Sequence, residues 1–543
     1  MTEATRGNVH AAAGIERAPT GVEGLDLVLG GGLIKGGIYM VMGRPGTGKT
    51  TLANQLCFAH VAGGGRAVYV TLLAESHASM MKNLQTMRFF DPEAINRSLV
   101  YVGAYRALRD ERLKGLLGLL RQVIRDERAT LLVLDGVSPT RALAGSDLAL
   151  KEFIVELQML GSMTECTTLL FANMDADDAN GPEHTMVDGL VELAFERTHR
   201  VTRRTLEVIK FRGSRHLLGK HELTISDGGV TAHPRTEDVV DVDARPPPPT
   251  GPRLGTGLAR LDAMLGGGLI AGTTTLVLGF TGSGKTTLAT HFLAAGAEAG
   301  ESCFYFGFYE SPARLLAQAD ALGLGLSRHL AEGRFFALWQ PPYRYGLDAL
   351  AERLLGEVRR RGVNRLVIDG LDGYRQSTVE PTRTIRYLTA LSNELRALGV
   401  TTLATDETSK PYGPEIGMRI EGTSTLVDNL VLLEYLTVGT ELRRLLSVVK
   451  QRGSAHATNM REFALTGSGV DLAPDARSAE ALLSEGGDAA IGRRNRKSRP
   501  PEAELRPRPR PPWPSPGRSW SPTTSSRRSR CSRCCSRPRA TAC

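Results

Sequence analysis

No stretch of this 543-residue chain approaches the roughly 18–20 consecutive apolar residues that a membrane-spanning helix requires. Its first residues, Met1-Thr-Glu-Ala-Thr-Arg6, are polar and lack the apolar core of a secretory signal. Both absences point to a cytoplasmic protein without a membrane partner. Cysteine is sparse, at seven residues. Cys57, Cys166 and Cys303 stand alone in apolar surroundings and read as reduced core residues, whereas Cys531, Cys534, Cys535 and Cys543 crowd the far end. Cys531-x-x-Cys534 has neither a histidine nor a second spaced pair beside it, which argues against zinc. A basic body is lacking too, despite the net charge of +9. From Ile491 to Cys543 there are 14 Arg and one Lys against two Glu, so the remainder is mildly acidic. That remainder also lacks a loop interleaving aromatic and basic residues, which argues against nucleic acid as a partner.

What is present is a duplicated phosphate-binding loop. Gly43-Arg-Pro-Gly-Thr-Gly-Lys-Thr-Thr51 fits G-x-x-x-x-G-K-[ST] at every fixed position. An apolar strand pattern precedes it and a helical one follows. Glycines in such a loop let backbone N–H groups converge on phosphate oxygens, and the helix N-terminus adds partial positive charge. Gly43, Gly46, Thr47, Gly48, Lys49, Thr50 and Thr51 are therefore nucleotide-binding candidates, with Lys49 directed at the terminal phosphates and Thr50 at Mg²⁺. Gly279-Phe-Thr-Gly-Ser-Gly-Lys-Thr-Thr287 repeats the pattern, adding Gly279, Thr281, Gly282, Ser283, Gly284, Lys285, Thr286 and Thr287. Repetition extends upstream, where Thr20-Gly-Val-Glu-Gly-Leu-Asp26 answers Thr256-Gly-Leu-Ala-Arg-Leu-Asp262, and Gly30-Gly-Gly-Leu-Ile34 answers Gly266-Gly-Gly-Leu-Ile270. The chain is a tandem duplication of a nucleotide-binding domain.

Each half alternates apolar strands with helices, among them an amphipathic helix over Leu113–Arg128. Near-continuous apolar strands predict an α/β fold with mainly parallel central sheets covered on both faces. The expected organisation is a lead-in over 1–19, a first domain over 20–237, and a linker over 238–253 stiffened by Pro246–Pro249. A second domain then covers 254–484, and a disordered basic tail covers 485–543. Arg-Pro and Ser-Arg clusters in the tail match a solvated segment or an out-of-frame translation.

Asp135 and Asp369 end apolar strands in both repeats and are candidates to orient the water shell of Mg²⁺ with Thr50 and Thr286. Glu75 and Glu310 follow the strand after each loop helix, where a carboxylate can orient or deprotonate the attacking water. Lys210-Phe-Arg-Gly-Ser214 and Lys450-Gln-Arg-Gly-Ser454 also repeat, each followed by a histidine, His216 and His456. Strand alternation points Lys210 with Arg212, and Lys450 with Arg452, to one side. Each pair suits a finger that reaches a neighbouring subunit's nucleotide.

In these features the chain resembles the KaiC family of RecA-like ATPases, from about Thr20 to Asp471. The resemblance implies two tandem RecA-like P-loop domains, ATP and Mg²⁺ as cofactors, slow hydrolysis, and a homo-oligomeric hexameric double ring with regulatory protein partners. It also implies trans nucleotide contacts from the K-x-R-G-S segments, extending to Ser214, His216, Ser454 and His456. The family often carries two adjacent glutamates after the strand; here Ala74 and Tyr309 precede Glu75 and Glu310. In some members a Ser-Thr pair of the second domain accepts phosphate, and Ser424-Thr425 stands at that place ahead of Asp428-Asn-Leu-Val-Leu-Leu433. His184-Thr185 precedes Asp188 in the first domain. The leading expectation is an oligomeric ATPase with Ser/Thr autokinase activity in signalling or timing. The alternatives are a RecA/DnaB-like DNA-dependent ATPase and a nucleotide-gated scaffold with negligible turnover.

Overall fold

A computed structural model describes residues 15–72, 77–174, 182–197, 201–240, 251–408, 422 and 426–484. Glu75, Ser424, Thr425, the Pro246–Pro249 run and the basic tail lie outside the described residues.

In the first domain the strands are β1 (Arg17–Ala18), β2 (Leu33–Ile34), β3 (Ile38–Gly43), β4 (Ala67–Thr71), β5 (Leu99–Gly103) and β6 (Leu131–Asp135). They continue with β7 (Thr167–Asn173), β8 (Gly189–Arg197), β9 (Thr202–Phe211), β10 (Lys220–Ser226) and β11 (Gly229–His233). Nine of them form one sheet in the order β11-β10-β9-β8-β3-β7-β6-β4-β5, and β1 pairs with β2 separately. Pairing is parallel from β8 through to β5 and antiparallel from β8 to β11. Strands β3, β4 and β6 are buried at every position, so both faces of the sheet are covered.

The second domain repeats this plan. Its strands are β12 (Arg253–Leu254), β13 (Leu269–Ile270), β14 (Thr274–Gly279), β15 (Cys303–Gly307), β16 (Phe335–Trp339) and β17 (Arg365–Asp369). Then come β18 (Thr401–Glu407), β19 (Asn429–Val438), β20 (Glu441–Gln451), β21 (Arg461–Thr466) and β22 (Gly469–Leu472). The large sheet runs β16-β15-β17-β18-β14-β19-β20-β21-β22, the same arrangement listed from the other edge. The fold is thus two tandem α/β domains with mainly parallel sheets, as the sequence predicts.

Because successive side chains on a strand point to opposite faces, each sheet has two cores. Tyr39 and Val41 join Leu52, Leu56 and Phe58 of the phosphate-loop helix (Lys49–Ala62) on one face. Ile38, Met40 and Met42 meet Leu116, Leu120, Phe153 and Leu157 on the other. Cys57, Cys166 and Cys303 are free and buried in these cores, and burial pushes the Cys166 and Cys303 thiols up to about 12. The helix expected over Leu113–Arg128 runs from Tyr105 to Glu127, broken by the left-handed φ of 55° at Arg112. The break explains the late start in the sequence pattern: the stretch before it presents Arg106, Arg109, Asp110 and Glu111 rather than an apolar stripe.

A charged cluster joins the two domains. Thr236, in the short helix Thr236–Val239, donates through its backbone N and its hydroxyl to Asp348 Oδ1, at 2.9 and 3.0 Å. Arg383 bridges Asp348 (2.6 Å) and Glu237 (2.6 Å). Burial alone would raise the Glu237 carboxyl, but Arg383 and Arg235 beside it hold it at about 2.

Candidate nucleotide sites

Each phosphate loop leaves the carboxyl end of a central parallel strand, the edge at which open α/β sheets bind ligands. In the first domain β3 ends at Gly43 and the helix begins at Lys49. Gly48 has φ 105° and ψ 13°, a left-handed conformation that glycine adopts without strain. A Cβ on Gly43 would stand 2.4 Å from the Leu193 carbonyl oxygen, so only glycine fits where the loop leaves the sheet. Thr47 is fully buried and donates to the Arg44 carbonyl (2.8 Å). Lys49 Nζ donates to the carbonyls of Gly43 (2.7 Å) and Arg44 (3.1 Å), and burial lowers its pKa. In the second domain Lys285 Nζ donates to the Gly279 and Phe280 carbonyls, both at 3.0 Å. Ser283 is fully buried, like Thr47. Gly46, Gly282 and Gly284 also have positive φ, while Thr51 and Thr287 fall in the first turn of each helix.

The strand-end acids meet the loop hydroxyls. Thr50 Oγ1 lies 3.3 Å from Asp135 Oδ2, and Thr286 Oγ1 lies 3.0 Å from Asp369 Oδ2. A hydroxyl beside a carboxylate at the helix start is an oxygen set suited to a hydrated Mg²⁺. Each acid also accepts a tyrosine hydroxyl from the adjacent strand, Tyr69 to Asp135 (2.6 Å) and Tyr305 to Asp369 (2.7 Å). Sequence reasoning missed these tyrosines. Their signal was present, since Tyr69 and Tyr305 occupy the same place in the repeat, third in the strand after each loop helix. Burial raises the Asp135 carboxyl, and the Tyr69 and Thr50 hydroxyls act against that rise.

A second repeated feature also went unread. The Arg204 guanidinium sits 5.4 Å from the centre of the Phe195 ring, and Arg444 sits 5.3 Å from that of Tyr435. Arg204 Nε approaches the Gly46 carbonyl at 3.4 Å, so this cation stands beside its own domain's loop.

Glu310 follows β15 and pairs with Arg314 at 3.0 Å. Its charge acts on Tyr305, the partner of Asp369. Tyr309 packs over Gly370, whose added Cβ would stand 2.6 Å from the ring, and accepts a hydrogen bond from Gln376 (3.0 Å).

The K-x-R-G-S segments are far from their own loops. Phe211 pairs with Gly189, which pairs with Tyr39, whereas Gly43 pairs with Leu193. Four residues of strand, about 13 Å, therefore separate the level of Phe211 from that of the loop. Gln451, Asn429, Thr275 and Gly279 repeat this register in the second domain. Lys210 Nζ donates to the Thr185 (2.9 Å) and Val187 (2.6 Å) carbonyls, and Arg212 reaches the Thr185 carbonyl at 3.2 Å. Lys450 likewise donates to the Val427 carbonyl (2.8 Å), and Arg452 lies 3.8 Å from Asp428. Arg212 and Arg452 remain about half exposed. Ser214 donates to the Leu29 carbonyl (2.9 Å) and accepts from Arg17, while Ser454 accepts from Arg253. Both serines thus tie the segment to the Gly-Gly-Gly lead-in of their own domain. His216 and His456 follow them and are half-buried.

Among the described residues no helix is long and apolar enough to cross a membrane. The family model described as "ATPase: KaiC" matches residues 18–237 and again 254–477. The circadian clock oscillator protein KaiC of Parathermosynechococcus lividus is 25% identical over 494 residues, covering 88% of this chain and 89% of that protein. The circadian clock protein KaiC2 of Synechocystis sp. (strain ATCC 27184 / PCC 6803 / Kazusa) is 27% identical over 480 residues, covering 87% and 82%. KaiC3 of the same strain is 25% identical over 487 residues, covering 87% and 94%. With both halves matched and the nucleotide-binding geometry repeated in each, the chain belongs to the KaiC family of ATPases.

Proposed function

We propose that this chain is a cytoplasmic, ring-forming homo-oligomeric ATPase with two Mg-ATP sites per subunit. Gly43–Thr51 and Gly279–Thr287 cradle the phosphates, Lys49 and Lys285 neutralise the terminal ones, and Thr50 with Asp135 and Thr286 with Asp369 hold the hydrated Mg²⁺. A Mg²⁺ ion held there would supply positive charge against the negative charge that develops on the transferred phosphoryl group. Glu75 serves the attacking water in the first domain, and Glu310 serves it in the second. A ring of six is the size the family resemblance suggests.

One observation carries the trans mechanism. Lys210 with Arg212, and Lys450 with Arg452, lie at the opposite edge of the sheet from their own loops, about four strand residues away. A cation pair that cannot reach its own phosphates, yet stays half exposed, is suited to a neighbour's nucleotide. Ser214, His216, Ser454 and His456 contribute to that contact in this reading. Mixed oligomers test it. Arg212→Ala subunits keep an intact loop and Lys49→Ala subunits an intact finger, so mixtures should regain first-site turnover that neither has alone. Lys285→Ala in both partners silences the second site, and a tag pull-down verifies mixing. Verified mixed oligomers without recovery would sink the trans finger.

Autophosphorylation of Ser424 or Thr425 and a timing or signalling role with regulatory protein partners rest on the family and on the relatives' clock names. Labelled ATP, followed both as released phosphate and as label on the protein, tests the kinase. Label that persists on a Ser424→Ala/Thr425→Ala chain would refute these acceptors. An ATPase rate unchanged by single-stranded DNA is expected from the acidic body.

A further inference from the structure

The two domains fill the space behind the strand-end acid differently. Five residues after Asp369 the second domain places Tyr374, and five residues after Asp135 the first places Thr140. Tyr374 is fully buried, and its ring packs on those of Phe308 (4.8 Å between centres) and Tyr387 (5.3 Å). A second exchange lies on the strand beside the loop. There the second domain pairs Asp406 with Leu278, and the first pairs Ala172 with Met42. Asp372 of the second domain is matched by Ser138. All three exchanges give the first domain the smaller side chain.

They leave a cavity of about 330 Å³ in the first domain, lined by Thr140, Ala172, Met40, Met42, Phe153 and Ile154. Phe153 stands fourteen residues before the start of β7, as Tyr387 does before β18. One ring of the Tyr374–Tyr387 pair is therefore kept and the other is missing. An apolar cavity of about 150 Å³ holds benzene, so this one has room for a substituted ring. Its lining also carries a polar group. His184, in the short helix Pro182–Met186, lines the cavity, and its Nδ1 is buried with no hydrogen-bond partner among the described residues. A buried polar atom is costly to leave unmatched. Arg141 and Asn173 line the cavity as well and are exposed, which gives a way in from solvent.

We propose that the first domain binds a small aromatic molecule here, a single ring bearing a hydroxyl, in the place of the missing Tyr374 phenol. Phe153 supplies a ring face or edge to it, and Met40 and Met42 supply polarizable thioethers. The hydroxyl serves either tautomer of His184, donating to a bare Nδ1 or accepting from Nδ1–H. Met40 and Met42 lie on the face of β3 opposite the phosphate-loop helix. The site is thus separate from the phosphate cradle, and the proposal stands whether or not the first loop turns ATP over.

The experiment uses the full-length chain, with phenol and toluene as probes, read by calorimetric titration and ligand-observed NMR. Phenol should bind saturably at one site per chain. Thr140→Tyr restores the residue of the second domain and should weaken phenol by about 10-fold or more without lowering the melting temperature. Ala172→Leu fills the cavity from the strand and should weaken phenol likewise, so the test survives if either variant misfolds. His184→Ala should lower the ratio of phenol to toluene affinity by about 2–10-fold, the loss of one neutral hydrogen bond. Phenol uptake that never saturates, or saturable binding that the folded cavity-filling variants retain, would overturn the proposal. An unchanged phenol-to-toluene ratio in His184→Ala would overturn the hydroxyl-bearing class.

Discussion

Arg383→Ala is the sharpest test of how the two domains are held. Arg383 is 14% exposed and faces Asp348, 1% exposed, and Glu237, 11% exposed. Removing the guanidinium leaves a buried carboxylate at Asp348 with only the Thr236 donors to compensate its charge. Breaking one partner of a buried ion pair costs about 3–5 kcal/mol. For a domain of this size each kcal/mol shifts the melting temperature by about 2–4 °C, which gives a loss of about 6–20 °C in the transition that includes the second domain. Calorimetry is the assay, and it also shows whether one transition divides into two. A charge reversal of sign makes the reasoning refutable. Asp348→Asn should destabilise the protein when Arg383 is present and stabilise it in the Arg383→Ala background, because the carboxylate is then an uncompensated buried charge. A melting temperature within about 2 °C of the parent for Arg383→Ala, or the same sign for Asp348→Asn in both backgrounds, would remove the cluster as a source of stability.

The same cluster sets a pH dependence. Glu237 is held at about 2 from an ordinary 4.5, so its share of stability is full above pH 4.5 and is lost as pH falls from there towards 2, readable in acid denaturation midpoints of the parent against Glu237→Gln. Lys49→Ala should abolish nucleotide at the first loop and Lys285→Ala at the second, each leaving the other, by equilibrium binding of a fluorescent analogue; full binding by the double variant would refute the loop assignment. Tyr69→Phe removes a hydroxyl from a buried carboxylate, and a hydrogen bond to a charged group is worth about 1.5–3 kcal/mol, so first-site Mg-ATP affinity should fall by about 10–100-fold in the Lys285→Ala background. Truncation after Ser484 keeps the small core of Leu445, Ala479 and Leu482, and should leave ATP turnover and the number of subunits per oligomer unchanged.

What could be read from the sequence was what repeats locally. The phosphate loops announce themselves because their chemistry sits in nine consecutive residues, and the strand before each is largely apolar. The meeting of Thr50 with Asp135 is legible because both ends of the pair recur with Thr286 and Asp369. Tyr69 and Tyr305 recur as well, yet a tyrosine inside an apolar strand looks like core until its neighbour is known to end in an acid. The Arg383 cluster has no such aid. It joins residues 146 apart in the chain, and Glu237 and Asp348 come from different domains, so nothing local marks the contact.

Duplication therefore has two uses. Agreement between the halves identifies the parts that any site of this kind needs, namely glycines, lysine, hydroxyl and strand-end acid. Disagreement identifies where the halves have taken different work. Pro45 with Asn173, against Thr281 with Glu407, is a disagreement at two positions that touch each other in the second domain. Independent drift at two surface positions gives no reason for a hydroxyl to appear where a carboxylate can accept from it. The two loops also differ at Arg44 against Phe280 and Thr47 against Ser283, but among the described residues only the change at Pro45 and Thr281 is matched by a residue that bonds to it, Glu407.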